Sequence, residues 1–346
     1  MTIESVLLCG DPQQPSEYMY EAASFLESAG ISFSRIDWKA DVSAERFREV
    51  TMEMESRGPS SYDTSIIEEN LEGVDALVVH KAPISASVLE AGDSLEVVGA
   101  ARGGVENVDI DTAKENDVAV LHAPGRNKNA VSDYAVSLLL TKVREIPHHT
   151  SALHAGEWSQ EFSPDKLPRD IEAMTIGIVG FGNIGQQVAR RLTGFGPEIL
   201  AYDPYQDEAT FTSAGVVQVT LEELTERSDA VTLHARLTDE TKGLLGADEL
   251  ERMKPSAILI NSARGGLVDE SALIEALQTG SIAGAALDVF ETEPLSEDHP
   301  FLEMDNVVLS PHTAGSTRDA VTNGPRMIAE GVEQLRDGED PDNRIA

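Results

Sequence analysis

Residues 175–192 read TIGIVGFGNIGQQVARRL, an apolar run, a turn carrying Gly180, Gly182 and Gly185, and then an amphipathic segment. Glycines gather in many turns, so the spacing G-x-G-x-x-G is weak by itself; its surroundings give it meaning. TIGIV has the length and β-branched character of a buried parallel strand. Gly180 allows the tight turn, Gly182 lets a pyrophosphate approach the backbone, and Gly185 lets the helix NIGQQVARRL pack closely on the sheet. The next strand, EILAYD, ends in Asp203, about twenty residues past the glycines. A carboxylate there accepts hydrogen bonds from the adenosine ribose hydroxyls and repels a 2'-phosphate. The stretch therefore predicts a dinucleotide-binding unit selective for NAD over NADP.

This unit lies deep in the chain, and a second α/β region precedes it. SVLLCG reads as a strand, SEYMYEAASFLESAG as a helix with a glycine stop, and ISFSRID as a strand. A polar stretch follows, KADVSAERFREVTMEMESRGPSSYD, in which residues 58–61 mark a loop. The strands ALVVH, EVVGAA and VAVLHAP then complete a small α/β domain ending near Pro124. NAVSDYAVSLLLTKVREI is a long helix, and a loop containing GEW leads into TIGIVG. The strands EILAYD, AVTLHA, AILINSA, AGAALDVF and NVVLSPH continue the second region. The final helix, RDAVTNGPRMIAEGVEQLRDG, is long enough to return to the first domain. The expected fold is α/β with two Rossmann-like, doubly wound parallel sheets. Residues 1–123 and 318–346 form one domain and residues 124–317 the other.

The 346 residues carry 61 acidic and 26 basic side chains, a formal net charge of -35, and only eight of the cations are lysine. Such a surface argues against nucleic acid as a partner. The acids are scattered over helix faces and loops rather than gathered in a tail, and their self-repulsion is relieved by salt. A high-salt cytoplasm is the expected setting. No apolar run approaches the roughly 18 residues of a membrane span, and the first residues show no secretory leader. Cys9 is alone, which excludes a disulfide framework and argues against cysteine-held zinc. It reads as a core residue, and no metal site is expected.

Three stretches place polar groups just beyond strand ends, the edge at which open parallel sheets bind ligands. NSARGGLVDESAL carries Arg264 beside Gly265 and Gly266, ALDVFETEP carries Asp288 and Glu293, and SPHTAGS carries His312. Singly, each is an ordinary loop residue. Together they supply a cation to grip a carboxylate and polarise a carbonyl, a titratable group to move a hydroxyl proton, and an acid to tune it.

At these residues the chain resembles the D-isomer-specific 2-hydroxyacid dehydrogenase family, which includes phosphoglycerate dehydrogenase. GFGNIGQQVARRLTGFGPEILAYDPY, NSARGGLVDESAL, ALDVFETEP and SPHTAGST carry the resemblance in order. It extends from DALVVHKAPISASVLEA and RGGVENVDIDTAKENDVAVLHAPG to LRDGEDPDN. The resemblance implies a coenzyme domain inserted into a substrate domain, which accounts for the depth of the glycine turn. It implies Arg264, Glu293 and His312 as the catalytic set, with Glu293 favouring the His312 imidazolium and raising its pKa. Asn183 and Ile184 would meet the pyrophosphate, Asp203 the ribose, Ser262 the nicotinamide end and Asp288 the carboxamide. The backbone around Arg102, Gly103 and Gly104 would give a second grip on the substrate carboxylate, and the two domains would close over it. The helix NAVSDYAVSLLLTKV and the loop after it resemble the family's dimer arm, so a homodimer is expected.

Departures bear on the substrate. The family's H-x-P-L-T is HARLT here, with Arg236 in the place of proline. Ala100 stands where phosphoglycerate-type members often have arginine, with Arg102 two residues on, and His80-Lys81 replaces their Arg-Ser. The chain stops after the return helix, so the C-terminal regulatory domain of many serine-pathway members is expected to be absent. The reading is an NAD-dependent enzyme interconverting a D-2-hydroxy acid and a 2-oxo acid. Phosphoglycerate oxidation is the alternative substrate reading, and an NAD-sensing corepressor-like binding protein is the alternative from another class.

Overall fold

A computed structural model describes residues 1–158 and 167–346. Two compact units divide the chain, Met1–Asn127 with Thr317–Ala346, and Lys128–Ser316. Both are parallel sheets with helices on their faces. Among the described residues no helix is long and apolar enough to cross a membrane.

The first unit holds β1 (Ser5–Gly10), β2 (Ser32–Asp37), β3 (Ala76–Val79), β4 (Val97–Ala100) and β5 (Ala119–His122), in the order β2-β1-β3-β4-β5. β3 and β4 are buried along their whole length, as strands covered on both faces must be. Leu7, Cys9, Leu77 and Val79 face Trp38 and Phe47 on one side. Val6, Leu8 and Val78 face Ile328, Val332 and Leu335 of the helix Arg318–Arg336 on the other. The two ends of the chain therefore share one core. Gly99 of β4 permits this approach, because a Cβ there would collide with Ile328 Cγ2.

Three local expectations change. The polar stretch after β2 contains a helix, Ala44–Arg57, whose N-cap Ser43 accepts from the Arg46 N–H. Its buried Phe47, Val50 and Met54 have helical spacing that the surrounding charged residues hide. SEYMYEAASFLESAG divides into the helix Ser16–Ala23 and the 3-10 segment Ser24–Ala29. The long helix after β5 ends at Val143 rather than running on. Glu145 takes a left-handed conformation (φ 47°), and Pro147, whose ring would clash within a continuous helix, opens a separate one, Ile146–His154. The last residues of the chain also join the first unit. Val120 N–H donates to the Ala346 carbonyl (3.0 Å), Ile345 N–H to Val120 (2.8 Å) and His122 N–H to Asn343 (3.0 Å), which covers the β5 edge.

The second unit holds β6 (Thr175–Val179), β7 (Glu198–Tyr202), β8 (Val217–Gln218), β9 (Ala230–Leu233), β10 (Ile258–Asn261), β11 (Gly284–Leu287) and β12 (Val307–Leu309). Their order is β12-β11-β10-β9-β6-β7-β8, with every pairing parallel. The chain winds outward from β6 in one direction and then, from β9, in the other. The switch point between β6 and β9 is where such sheets receive ligands. The two-residue β8 had no counterpart in the sequence reading. Part of the expected dimer arm, residues 159–166, lies outside the described residues.

Gly99→Ala is expected to cost about 1–3 kcal/mol by overpacking against Ile328. Ile328→Ala alone is expected to cost about 2–5 kcal/mol. The double variant should lose clearly less than their sum in urea unfolding. Additive losses would contradict this contact.

Candidate active site

The glycine turn follows β6, with each glycine in a different physical situation. Gly180 has φ 89°, and a Cβ on it would strike the backbone of His234 and Ala235 at the end of β9. A Cβ on Gly185 would strike the Gly180 carbonyl oxygen, so this glycine sets the approach of the helix Asn183–Leu192 to the strand. A Cβ on Gly182, in contrast, would meet nothing within 4 Å. No packing among the described residues requires glycine there. The helix has no side-chain cap, so Asn183, Ile184 and Gly185 stand at an N-terminus suited to a phosphate.

Asp203 follows β7. Its Oδ2 accepts from the Phe181 N–H (2.7 Å) and its Oδ1 from the Tyr205 N–H (2.9 Å). The carboxylate thus braces the glycine turn, and each oxygen keeps a further lone pair.

Arg264, Glu293 and His312 follow β10, β11 and β12, three neighbouring strands. The Asn261 side chain shapes the first of these turns, accepting from Ala263 N–H (3.0 Å) and donating to the Arg264 carbonyl (2.9 Å). Arg264 is exposed and rests one guanidinium nitrogen on the Ala263 carbonyl (2.7 Å). Gly265 lets the next loop cross, because a Cβ there would collide with the backbone of Phe290 and Glu291. Glu293 Oε1 accepts from the Phe290 N–H (3.1 Å), and its Oε2 lies 2.7 Å from His312 Nδ1. His312 is backed by φ 53°, a conformation that a residue with a Cβ adopts only under constraint.

Asp288 supplies that constraint. Its side chain has no exposed surface; it accepts from Ser310 Oγ (2.6 Å), Thr313 N–H (2.9 Å) and Ala314 N–H (2.8 Å). Its carbonyl accepts from the His312 N–H (2.8 Å). A fully buried carboxylate turned into residues 310–314 shapes the turn that presents His312.

A family model for the D-isomer specific 2-hydroxyacid dehydrogenase, NAD binding domain, matches residues 136–314, just over half of the chain. The chain is also 40% identical over 282 residues to the glyoxylate reductase of Korarchaeum cryptofilum, covering 81% of this chain and 85% of that one. The chain belongs to the D-isomer-specific 2-hydroxyacid dehydrogenase family. It is 39% identical over 281 residues to the D-3-phosphoglycerate dehydrogenase of Methanocaldococcus jannaschii, covering 80% of this chain and 52% of the relative. The chain thus spans about half the length of the phosphoglycerate dehydrogenases it matches. In fold it is similar to the NAD-complexed D-isomer specific 2-hydroxyacid dehydrogenase of Lactobacillus delbrueckii ssp. bulgaricus, with a TM-score of 0.81 at 21% identity over 98% of this chain and 100% of that one.

The residues present fit the NAD that this family's domain binds. Beyond the space at Gly182, two buried polar atoms near the strand ends lack a protein partner among the described residues, Ser262 Oγ and His234 Nδ1. Native interiors leave few such atoms. His234 was not singled out from the sequence, although its place at the end of an apolar strand marks it. Burial pushes its imidazole down to about 3, so the ring is neutral, and its Nε2 lies 2.9 Å from Thr232 Oγ1. Arg236 is exposed, and its carbonyl accepts from Thr241 Oγ1 (2.6 Å).

The substrate-loop residues lie in the first unit. The Arg102 N–H is already donated to the Ala100 carbonyl (2.7 Å), which removes it from the expected carboxylate grip. The N–H groups of Gly103 and Gly104 have no protein acceptor among the described residues. His122 Nδ1 fixes the Gly103 carbonyl (2.9 Å), and Arg102 pairs with Glu106 (3.3 Å). His80 has an internal role: its Nδ1 meets Asp11 Oδ2 (2.9 Å) and its Nε2 faces Arg126 (3.5 Å). Burial holds His80 below its ordinary pKa despite the opposing pull of Asp11. For Asp11, burial acts upward, but His80 and the N–H groups of Gln13 and Lys81 outweigh it and keep the carboxyl low.

Gly182→Ala and Gly185→Ala should therefore fail differently. The first is expected to keep the wild-type melting temperature and weaken NADH binding at least tenfold by fluorescence titration. The second should lose stability by about 1–3 kcal/mol or more. Unchanged NADH affinity in a folded Gly182→Ala protein would contradict the placement of the pyrophosphate.

Proposed function

We propose that this protein is an NAD-dependent oxidoreductase interconverting a D-2-hydroxy acid and a 2-oxo acid. The observation that carries the reading is the Glu293–His312 pair at 2.7 Å, on the loops next to the turn of Arg264. When bound, the coenzyme supplies or accepts the hydride at C2. Arg264 holds the carboxylate and the carbonyl oxygen, and its fixed charge stabilises negative charge developing on that oxygen. Glu293 occupies His312 Nδ1, which leaves Nε2 to carry the proton. In reduction Nε2–H donates to the alkoxide oxygen; in oxidation Nε2 takes the hydroxyl proton. The Gly103 and Gly104 N–H groups contribute a further grip on the substrate carboxylate. Asp203 accepts the ribose hydroxyls through its remaining lone pairs and repels a 2'-phosphate, which favours NADH over NADPH.

The finer setting is a homodimer in a cytoplasm of high salt. Ile146, Leu153 and Trp158 are 51%, 55% and 81% exposed along the helix Ile146–His154 and just after it, an apolar surface that a second copy of the chain would cover. The charge of -35 supports the salt requirement.

A screen of NADH and NADPH oxidation across a panel of 2-oxo acids in molar potassium chloride tests the activity. His312→Ala is expected to lose about 10²–10⁴ in kcat with NADH affinity retained. Glu293→Gln should move the alkaline limit of reduction toward acid, because the imidazolium loses its stabilising carboxylate. A wild type that turns over no 2-oxo acid would overturn the reading and favour a binding protein.

Sedimentation and thermal melting from dilute buffer to molar salt test the setting. A dimer whose melting temperature climbs with several different salts is expected, because the screening length falls from about 10 Å at 0.1 M to about 3 Å at 1 M. A monomer contradicts the arm, and a flat melting temperature contradicts the salt requirement.

A further inference from the structure

Glu293 belongs to a loop with few internal supports. Residues 291–299 read ETEPLSEDH, and they are mostly exposed. Glu291, Glu293, Glu297 and Asp298 repel one another there, so the loop needs an external hold to keep Glu293 beside His312. One carboxylate provides it at both ends. Glu270 Oε2 accepts from the Glu291 N–H (3.0 Å), and Glu270 Oε1 lies 3.1 Å from His299 Nε2.

The parts of this tether are themselves fixed. Glu270 is the first residue of the helix Glu270–Thr279, where the helix dipole favours a carboxylate, and Asp269 caps that helix by accepting from the Ala272 N–H (3.0 Å). His299 Nδ1 accepts from the Phe301 N–H (3.3 Å), which assigns the ring proton to Nε2 and makes Glu270 its acceptor. The ring packs 4.9 Å from that of Phe301, which is 1% exposed.

We propose that Glu270, acting through His299 and the Glu291 backbone, is a positioning residue for Glu293 and so for the protonation of His312. Glu270 touches neither reacting group; it spans the loop like a staple. The inference rests on the roles given above to Glu293 and His312. Among the described residues, the carboxylates hydrogen-bonded to His312 and its turn are Glu293 and Asp288.

The test uses the full-length protein with Glu270→Ala, His299→Ala and His299→Gln. Two readouts are taken: the pH profile of kcat/KM for 2-oxo acid reduction, and the NMR titration of the His312 ring. The two alanine variants should move both midpoints toward acid by about half a pH unit or more, in the direction of Glu293→Gln, with NADH affinity within twofold of wild type. His299→Gln, whose amide can donate to Glu270 and accept from Phe301, should restore the wild-type midpoint. Combined with Glu293→Gln, the alanine substitutions should add no further shift. Folded alanine variants whose His312 titration matches wild type would overturn the proposal, as would shifts fully additive with Glu293→Gln. The NMR readout needs no turnover, so failure of the tether is distinguishable from failure of the dehydrogenase reading. Should an alanine variant not fold, Glu270→Gln, which keeps one acceptor oxygen, takes its place with a smaller shift expected and no shift overturning the proposal.

Discussion

A carboxylate with no exposed surface is costly to keep in a folded protein unless its lone pairs are filled, and Asp288 is filled by a turn rather than by a cation. Ser310, Thr313 and Ala314 all donate to it, which bends the chain after β12 back across the end of β11. The bend places His312 in the left-handed region at φ 53°. It also presents the His312 Nδ1 to Glu293 on the neighbouring loop. The proton-moving residue is thus held by an interaction one layer beneath it, and the local backbone strain is offset by three hydrogen bonds to a charged acceptor.

The same device recurs at other strand ends. Asp203 gathers the Phe181 and Tyr205 N–H groups around the glycine turn, and Asp11 gathers the N–H groups of Gln13, Gln14 and Lys81 with His80 after β1. In a chain whose acids outnumber its bases by 61 to 26, these carboxylates rest largely on backbone N–H groups. Salt screens exposed charges far more than buried hydrogen bonds.

Glycine does the complementary work of bringing backbones together. Gly180 and Gly265 each sit where a Cβ would strike a neighbouring strand end, Ala235 in one case and Phe290 in the other. Both were visible in the sequence, but for Gly265 the reason was not. Its counterpart lies 25 residues further along the chain and meets it through the pairing of β10 with β11. Arg264 and Glu293 could be read as candidates from residue type and from their place after apolar runs. That they share an edge depends on strand order, which no local pattern carries.

The sequence by itself determined what acts over a few residues: the strand TIGIV, the glycine turn after it, the acid at the end of the next strand, and the candidate triad Arg264, Glu293 and His312. Strand periodicity, turn conformation and side-chain chemistry are local properties, so they survive without coordinates. Tertiary structure decided the rest. It turned a charged stretch into the helix Ala44–Arg57 by burying Phe47, Val50 and Met54, and laid the last residues along β5. It gave Asp288 to the His312 turn, His80 to Asp11, and the Arg102 N–H to Ala100. Each of those outcomes is a choice of hydrogen-bond partner or packing face made only when the sheet assembles, because a buried polar group must take whichever partner the fold brings within reach.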